Sequence, residues 1–113
     1  MTVIPIENHP LEPFLPKEAR LLFLGTFPPK RHRWSMDFYY PNRINDFWRI
    51  MGVIFHNDKN YFYDNNSQSF RLDDIKQMLI DRHIALSDSA RQVRRLRDNA
   101  SDKFLEIVAT IPL

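Results

Sequence analysis

The chain has 113 residues, 43% hydrophobic and 27% charged, with two glycines and no cysteine. That length suffices for one domain with a core, the absence of cysteine excludes disulfides and thiolate metal sites, and no apolar run is long enough for a membrane-spanning helix. The net charge is only +2, but it is unevenly spread: residues 26–49 hold five Lys/Arg against two Asp, and residues 90–97 hold four Arg and no acid. Such an asymmetry suits a surface that faces a polyanion, or simply the solvated faces of helices.

Residues 1–16 contain Pro5, Pro10, Pro13 and Pro16. They lack the basic start and apolar middle of a secretory signal and read as an extended arm with little regular structure. Leu21 to Leu24 form a short apolar run, expected as a strand buried on both faces. Gly25-Thr26-Phe27-Pro28-Pro29 ends it, because adjacent prolines lack the N–H groups of a ladder and fix φ. Lys30 to Asp37 is a polar loop, and Phe38-Tyr39-Tyr40-Pro41 an extended piece.

A helix is expected from Arg43 or Ile44, since Ile44, Phe47, Ile50, Met51 and Ile54 recur at three- and four-residue steps. Asn42 or Asn45 is placed to cap it. Residues 56–70 read as a loop. A second helix spans Leu72 to Arg82, with Leu72, Ile75, Met78 and Leu79 on one face and Asp73-Asp74 in the first turn. His83 to Asp88 reads as a second buried strand. Arg91 to Asp102 reads as a polar loop or frayed helix, with Asn99 and Asp102 available as caps; for Phe104 to Ala109 the spacing leaves helix and strand open. Strand, helix, helix, strand implies a single α/β domain over residues 1–113, with a small parallel β-sheet flanked by helices. So small a sheet reads as the first part of a larger α/β domain, with an exposed edge that favours self-association.

For chemistry, there is no Gly-rich phosphate loop and no Gly-x-Ser-x-Gly elbow. His9, His32, His56 and His83 are far apart and none pairs at ligand spacing, so no metal is expected. Most of the aromatic side chains, both tryptophans included, fall between Phe23 and Tyr63. Phe27, directly after the first strand, either fills core beneath the loop or stacks on a planar ligand, worth ~1–3 kcal/mol for a base. Lys30, Arg31 and Arg33 are placed to contact phosphates. The Asn45 amide donates and accepts at once, so it either reads a base edge or orients a water, or caps the helix.

The order Gly25-Thr26-Phe27-Pro28-Pro29, then Tyr39-Tyr40-Pro41-Asn42-Arg43-Ile44-Asn45-Asp46-Phe47-Trp48, resembles the uracil-DNA glycosylase superfamily. The likeness is to its hypoxanthine-DNA (deoxyinosine) glycosylase branch, where a Gly-x-x-Pro-Gly-like loop precedes a Tyr-Tyr segment ending in Asn-x-Phe-Trp. Ile84 to Asp88 and Asp98 to Asp102 look like the family's middle region, so the resemblance covers about residues 20–108. It implies hydrolysis of the N-glycosidic bond of a deaminated base, uracil or hypoxanthine, flipped out of DNA in base-excision repair. It implies Asn45 as the catalytic residue, and Gly25, Thr26, Phe27 and Tyr40 around the base. It implies Lys30, Arg31, Arg33 and Arg43 on DNA phosphates, no cofactor, and a cytoplasmic, nucleoid-associated protein. The family's further strands and its minor-groove loop would lie beyond Leu113. Two other readings use the same residues: a nucleic-acid-binding module without chemistry, and a small α/β interaction protein with no nucleic-acid role.

Overall fold

A computed structural model describes residues 3–97 and 104–112. In chain order the elements are β1 (Ile6–Asn8), β2 (Leu21–Gly25), a single 3-10 turn (Arg31–Arg33), α1 (Phe47–His56) and the two-residue strands β3 (Tyr63–Asp64) and β4 (Ser69–Phe70). They continue with α2 (Leu72–Asp81), β5 (Ile84–Asp88), β6 (Ala90–Arg95) and β7 (Leu105–Thr110).

β5 and β6 form one ribbon broken only at Ser89, on which β1, β2 and β7 are arranged, while β3 and β4 pair with each other. β2 runs parallel to β5, with Leu21 opposite Ile84 and Gly25 opposite Asp88. β1 and β7 pair with β6, both antiparallel. Phe14 bridges to Leu86 through reciprocal backbone hydrogen bonds of 2.8 and 2.9 Å. The expected parallel sheet is therefore reduced to two strands, and most of the pairing in this mixed α/β fold is antiparallel.

The reason lies at the two ends of the chain. The proline-rich arm is extended, as expected, but it is not structureless: between Pro5 and Pro10 the three residues of β1 supply an edge strand, and the prolines stand outside its ladder. The Arg-rich stretch expected as a loop or frayed helix begins as β6, where half-exposed Gln92 and Arg94 alternate with buried Val93 and Arg95. Its charges are met from distant segments: Arg94 pairs with Glu106 at 3.0 Å and Arg95 with Glu7 at 3.0 Å. The open choice at 104–109 resolves as strand β7. The Asn99 and Asp102 caps lie outside the described residues.

α1 starts at Phe47, later than expected, because two asparagines bind the backbone just ahead of it. The Asn42 side chain accepts from the Ile44 N–H, and that of Asn45 from the Phe47 N–H at 2.8 Å, local bonds that compete with helix. The buried face is also offset from the expected stripe. Trp48, Met51 and Gly52 face inward, while Ile44, Ile50 and Ile54 are exposed. The indole decides this: Trp48 is fully buried and its Nε1–H donates to the Tyr39 carbonyl at 3.0 Å.

α2 begins at the expected Leu72, ends one residue short at Asp81, and buries Ile75, Met78 and Leu79 as its spacing demands. β5 is buried along its whole length. β2 is not: with β5 as its one ladder partner among the described residues, it leaves Leu21, Leu22 and Leu24 exposed, while Phe23 packs inward against Phe47. The expected loop at 56–70 contains the small β3–β4 hairpin. Among the described residues no helix is long and apolar enough to cross a membrane.

Candidate functional site

Because β2 and β5 are parallel and in register, their carboxyl ends, Gly25 and Asp88, lie side by side. The chain leaves the sheet there, and open α/β sheets form ligand crevices at such places. A cavity of about 420 Å³ sits at this point, walled by Gly25, Thr26, Phe27, Pro28 and Pro29 on one side and by Tyr39, Tyr40, Asn42 and Asn45 on the other, with Asp88 also lining it. Its volume is within the ~300–1,000 Å³ of small-molecule sites.

The first wall is fastened by backbone and by one arginine. The Ser89 and Ala90 N–H groups donate to the Gly25 and Thr26 carbonyls at 2.8 and 3.0 Å, which carries the ladder past the end of β2. Arg95, buried, donates to the Pro28 carbonyl at 2.9 Å and makes a two-point pair with the Glu7 carboxylate at 3.0 and 3.2 Å. Glycine at 25 is a packing requirement. A Cβ there would stand 2.5 Å from Asp88 Oδ1 and 3.2 Å from the Tyr40 hydroxyl oxygen.

On the second wall, Tyr40 holds φ at 51°, in the left-handed region that a bulky residue rarely adopts. Its ring stacks on Phe47 with centroids 3.9 Å apart. Strain of this kind costs on the order of 1–3 kcal/mol and persists where surrounding contacts impose it. Asn45 is exposed to the cavity side, but its Oδ1 is engaged by the Phe47 N–H. That bond fixes the amide and leaves its NH2 group and the second lone pair of Oδ1 for a ligand.

Phe27 is only 9% exposed; its ring belongs to a small core with Ala90, Val93 and Leu105 and meets the His9 ring edge-on at 5.1 Å. Most of its surface fills core, and a remnant lines the cavity. The expected phosphate-binding cations stand outside the cavity lining. Lys30 and Arg31 border a second hollow, about 500 Å³, across Phe27–Pro29, together with Trp34. Arg31 pairs with Asp37 at 2.8 Å and lies 4.1 Å over the Trp34 ring. Arg43 donates to Gln68 at 3.2 Å. Arg33, half-buried in the 3-10 turn, is also bound within the fold.

Two residues of the site were not anticipated. Asp88 ends β5, and its position beside Gly25 follows once the two apolar runs are paired as parallel strands. His9 comes from the arm, where nothing in the local pattern marks it. Its Nε2 lies 2.7 Å from Asp88 Oδ2, and its Nδ1 accepts the Leu11 N–H at 3.1 Å. An Nδ1 that accepts carries no proton, so the ring is neutral and donates through Nε2–H. Both side chains are more than nine-tenths buried. Next to them, the Tyr39 hydroxyl donates to the Glu12 carbonyl at 2.9 Å. Burial foremost, then the Asp88 carboxylate, pushes its pKa well above the usual tyrosine value, so it stays protonated. No group of three or more metal-ligating side chains occurs among the described residues.

Comparisons with protein-family models, with curated proteins and with solved structures find no match to this chain.

Proposed function

We propose that this protein is a DNA glycosylase that hydrolyses the N-glycosidic bond of a deaminated base, uracil or hypoxanthine, flipped out of duplex DNA. The observation that carries the reading is the meeting of Gly25, Thr26, Tyr40 and Asn45 around one base-sized cavity at the carboxyl ends of two parallel strands. Those are the positions singled out by the resemblance to the hypoxanthine-DNA glycosylase branch. The state of Asn45 adds a chemical reason. Deamination replaces an exocyclic amine, a donor, with a carbonyl, an acceptor. With the Asn45 amide fixed by the Phe47 N–H on its oxygen, its NH2 is a donor matched to that carbonyl.

In this mechanism the base is extruded at a cost of a few kcal/mol and enters between the Gly25–Phe27 backbone and the Tyr40 ring. The Asn45 NH2 donates to its carbonyl and strengthens as negative charge builds on the departing base. The sugar passes through an oxocarbenium-like state, with the neighbouring phosphates stabilising its charge. Lys30, Arg31, Arg33 and Arg43 hold the flanking backbone. The exposed outer edge of β2 is the face through which two copies associate.

Abasic-site formation on duplexes containing deoxyuridine or deoxyinosine tests the reading. Asn45→Ser keeps a side-chain oxygen for the Phe47 N–H and deletes the amide, so it is expected to fold normally and lose excision by at least ~100-fold, in the range for a transition-state hydrogen-bond donor. DNA binding without cleavage, unaltered by Asn45→Ala, would overturn the enzymatic reading in favour of a binding module.

A further inference from the structure

We infer that Asp88, oriented by His9, is the group that takes the proton of the attacking water; this rests on the glycosylase reading above. The need for such a group follows from the chemistry of the cavity wall. An attacking water must also lose a proton, and neither asparagine of the cavity wall can take it: an amide oxygen is too weak a base, and each already accepts one backbone N–H, Asn42 from Ile44 and Asn45 from Phe47. Among the described residues that line the cavity, Asp88 is the one carboxylate.

Its two oxygens have different surroundings. Oδ2 receives the His9 Nε2–H at 2.7 Å. Oδ1 lies on the Gly25 side, where a Cβ would crowd it at 2.5 Å, so glycine leaves open the approach to that oxygen. A carboxylate serving only to tie the arm to β5 would need Oδ2 alone. His9 is a positioning residue: its Nδ1 is fixed by the Leu11 N–H, which sets the tautomer that donates to Oδ2.

The step balances without a co-reactant. Water oxygen bonds to the anomeric carbon as its proton passes to Asp88 Oδ1. The C–N bond breaks with its electron pair going to the base, which leaves as an anion stabilised by Asn45. The proton on Asp88 then passes through solvent to the released base, restoring the carboxylate.

The test is single-turnover excision, together with duplex binding, by the full chain. Asp88→Asn is expected to bind damaged duplex as the native protein does and to excise ~10²–10⁴-fold more slowly, the contribution of a positioned acid or base. Asp88→Ala is expected to be equally slow and to recover part of the rate with added formate, which a merely structural role would not restore. His9→Ala should lower the rate with little change in binding, and His9→Gln, which retains a donor, should recover it. If the native chain excises neither base, the glycosylase reading falls and this inference with it. If the native chain is active and Asp88→Asn excises within about threefold of it, only the role of Asp88 is overturned. Should Asp88→Asn fail to fold, equal rates for His9→Ala and His9→Gln would overturn it instead.

Discussion

A single methyl group is enough to close the site. At position 25 it would press on Asp88 Oδ1 and the Tyr40 hydroxyl, one on a carboxylate whose other oxygen His9 holds and the other carried on a ring stacked against Phe47. Neither neighbour is the far end of a loose chain, so Gly25→Ala should lower stability by about 1–3 kcal/mol, the usual cost of overpacking, and abolish binding of a free base. Urea denaturation with a parallel binding titration checks both; unchanged binding would show that the cavity is not where the ligand sits. Asn45 poses the complementary case. The residue pattern left it as cap or as ligand group; the N-cap of α1 is instead Asp46, without a side-chain cap bond, while the Asn45 oxygen accepts the Phe47 N–H from one residue earlier and the side chain lines the cavity. Asn45→Ala should therefore cost about 1 kcal/mol through the lost hydrogen bond to the Phe47 N–H, and Asn45→Ser, which keeps a side-chain oxygen, less, although both remove the amide NH2. Comparing the two separates stability from function at one position.

The arm, β6 and the Pro28-Pro29 loop behave as a single element. Arg95 reaches from β6 to Glu7 on β1 and to the Pro28 carbonyl, so removing it strands a carboxylate and a carbonyl together. Breaking a buried pair costs about 3–5 kcal/mol; Glu7 keeps some contact with solvent, which puts Arg95→Ala at or below the low end, read as a shift of the denaturation midpoint. Tyr39 ties the arm from the other side through the Glu12 carbonyl. Its raised pKa means that the folded chain keeps a proton that the unfolded chain begins to lose near pH 10. Stability should thus be unaffected by this group below that pH and fall as pH rises beyond it. Tyr39→Phe should fall less steeply over the same range. What was legible in the residues was whatever is set by local period and run: α2, β5, the position of β2 and its parallel pairing with β5. β6 was not, because a strand with three arginines is tolerable only when Glu7 and Glu106 meet two of them, and those partners are distant in sequence. His9 was hidden for the same reason, and the face of α1 because the Trp48 indole outweighed the isoleucine spacing.

Across the whole molecule, apolar surface is distributed unevenly. The ribbon of β5 and β6 is flanked on both sides, yet β2, apart from its ladder with β5, presents Leu21, Leu22 and Leu24 to solvent, and α1 turns Ile50, Val53 and Ile54 outward. Phe23 packs on Phe47 and so joins the two elements. An apolar edge with unpaired N–H and C=O groups is a template for a second strand, and charged side chains are the common means of blunting it. The mean molar mass in sedimentation should therefore rise with concentration over the micromolar to millimolar range, and Leu22→Lys should return the chain toward monomer. Sulfate discriminates the cause, since an excluded salt strengthens apolar burial while added salt weakens contacts to phosphate. Self-association should thus tighten in sulfate under the same conditions that would weaken the proposed contacts to DNA. A native chain that stays monomeric throughout and sediments like Leu22→Lys would remove the β2 edge as an interface, and would leave the cavity beside Gly25 and Asp88 untouched.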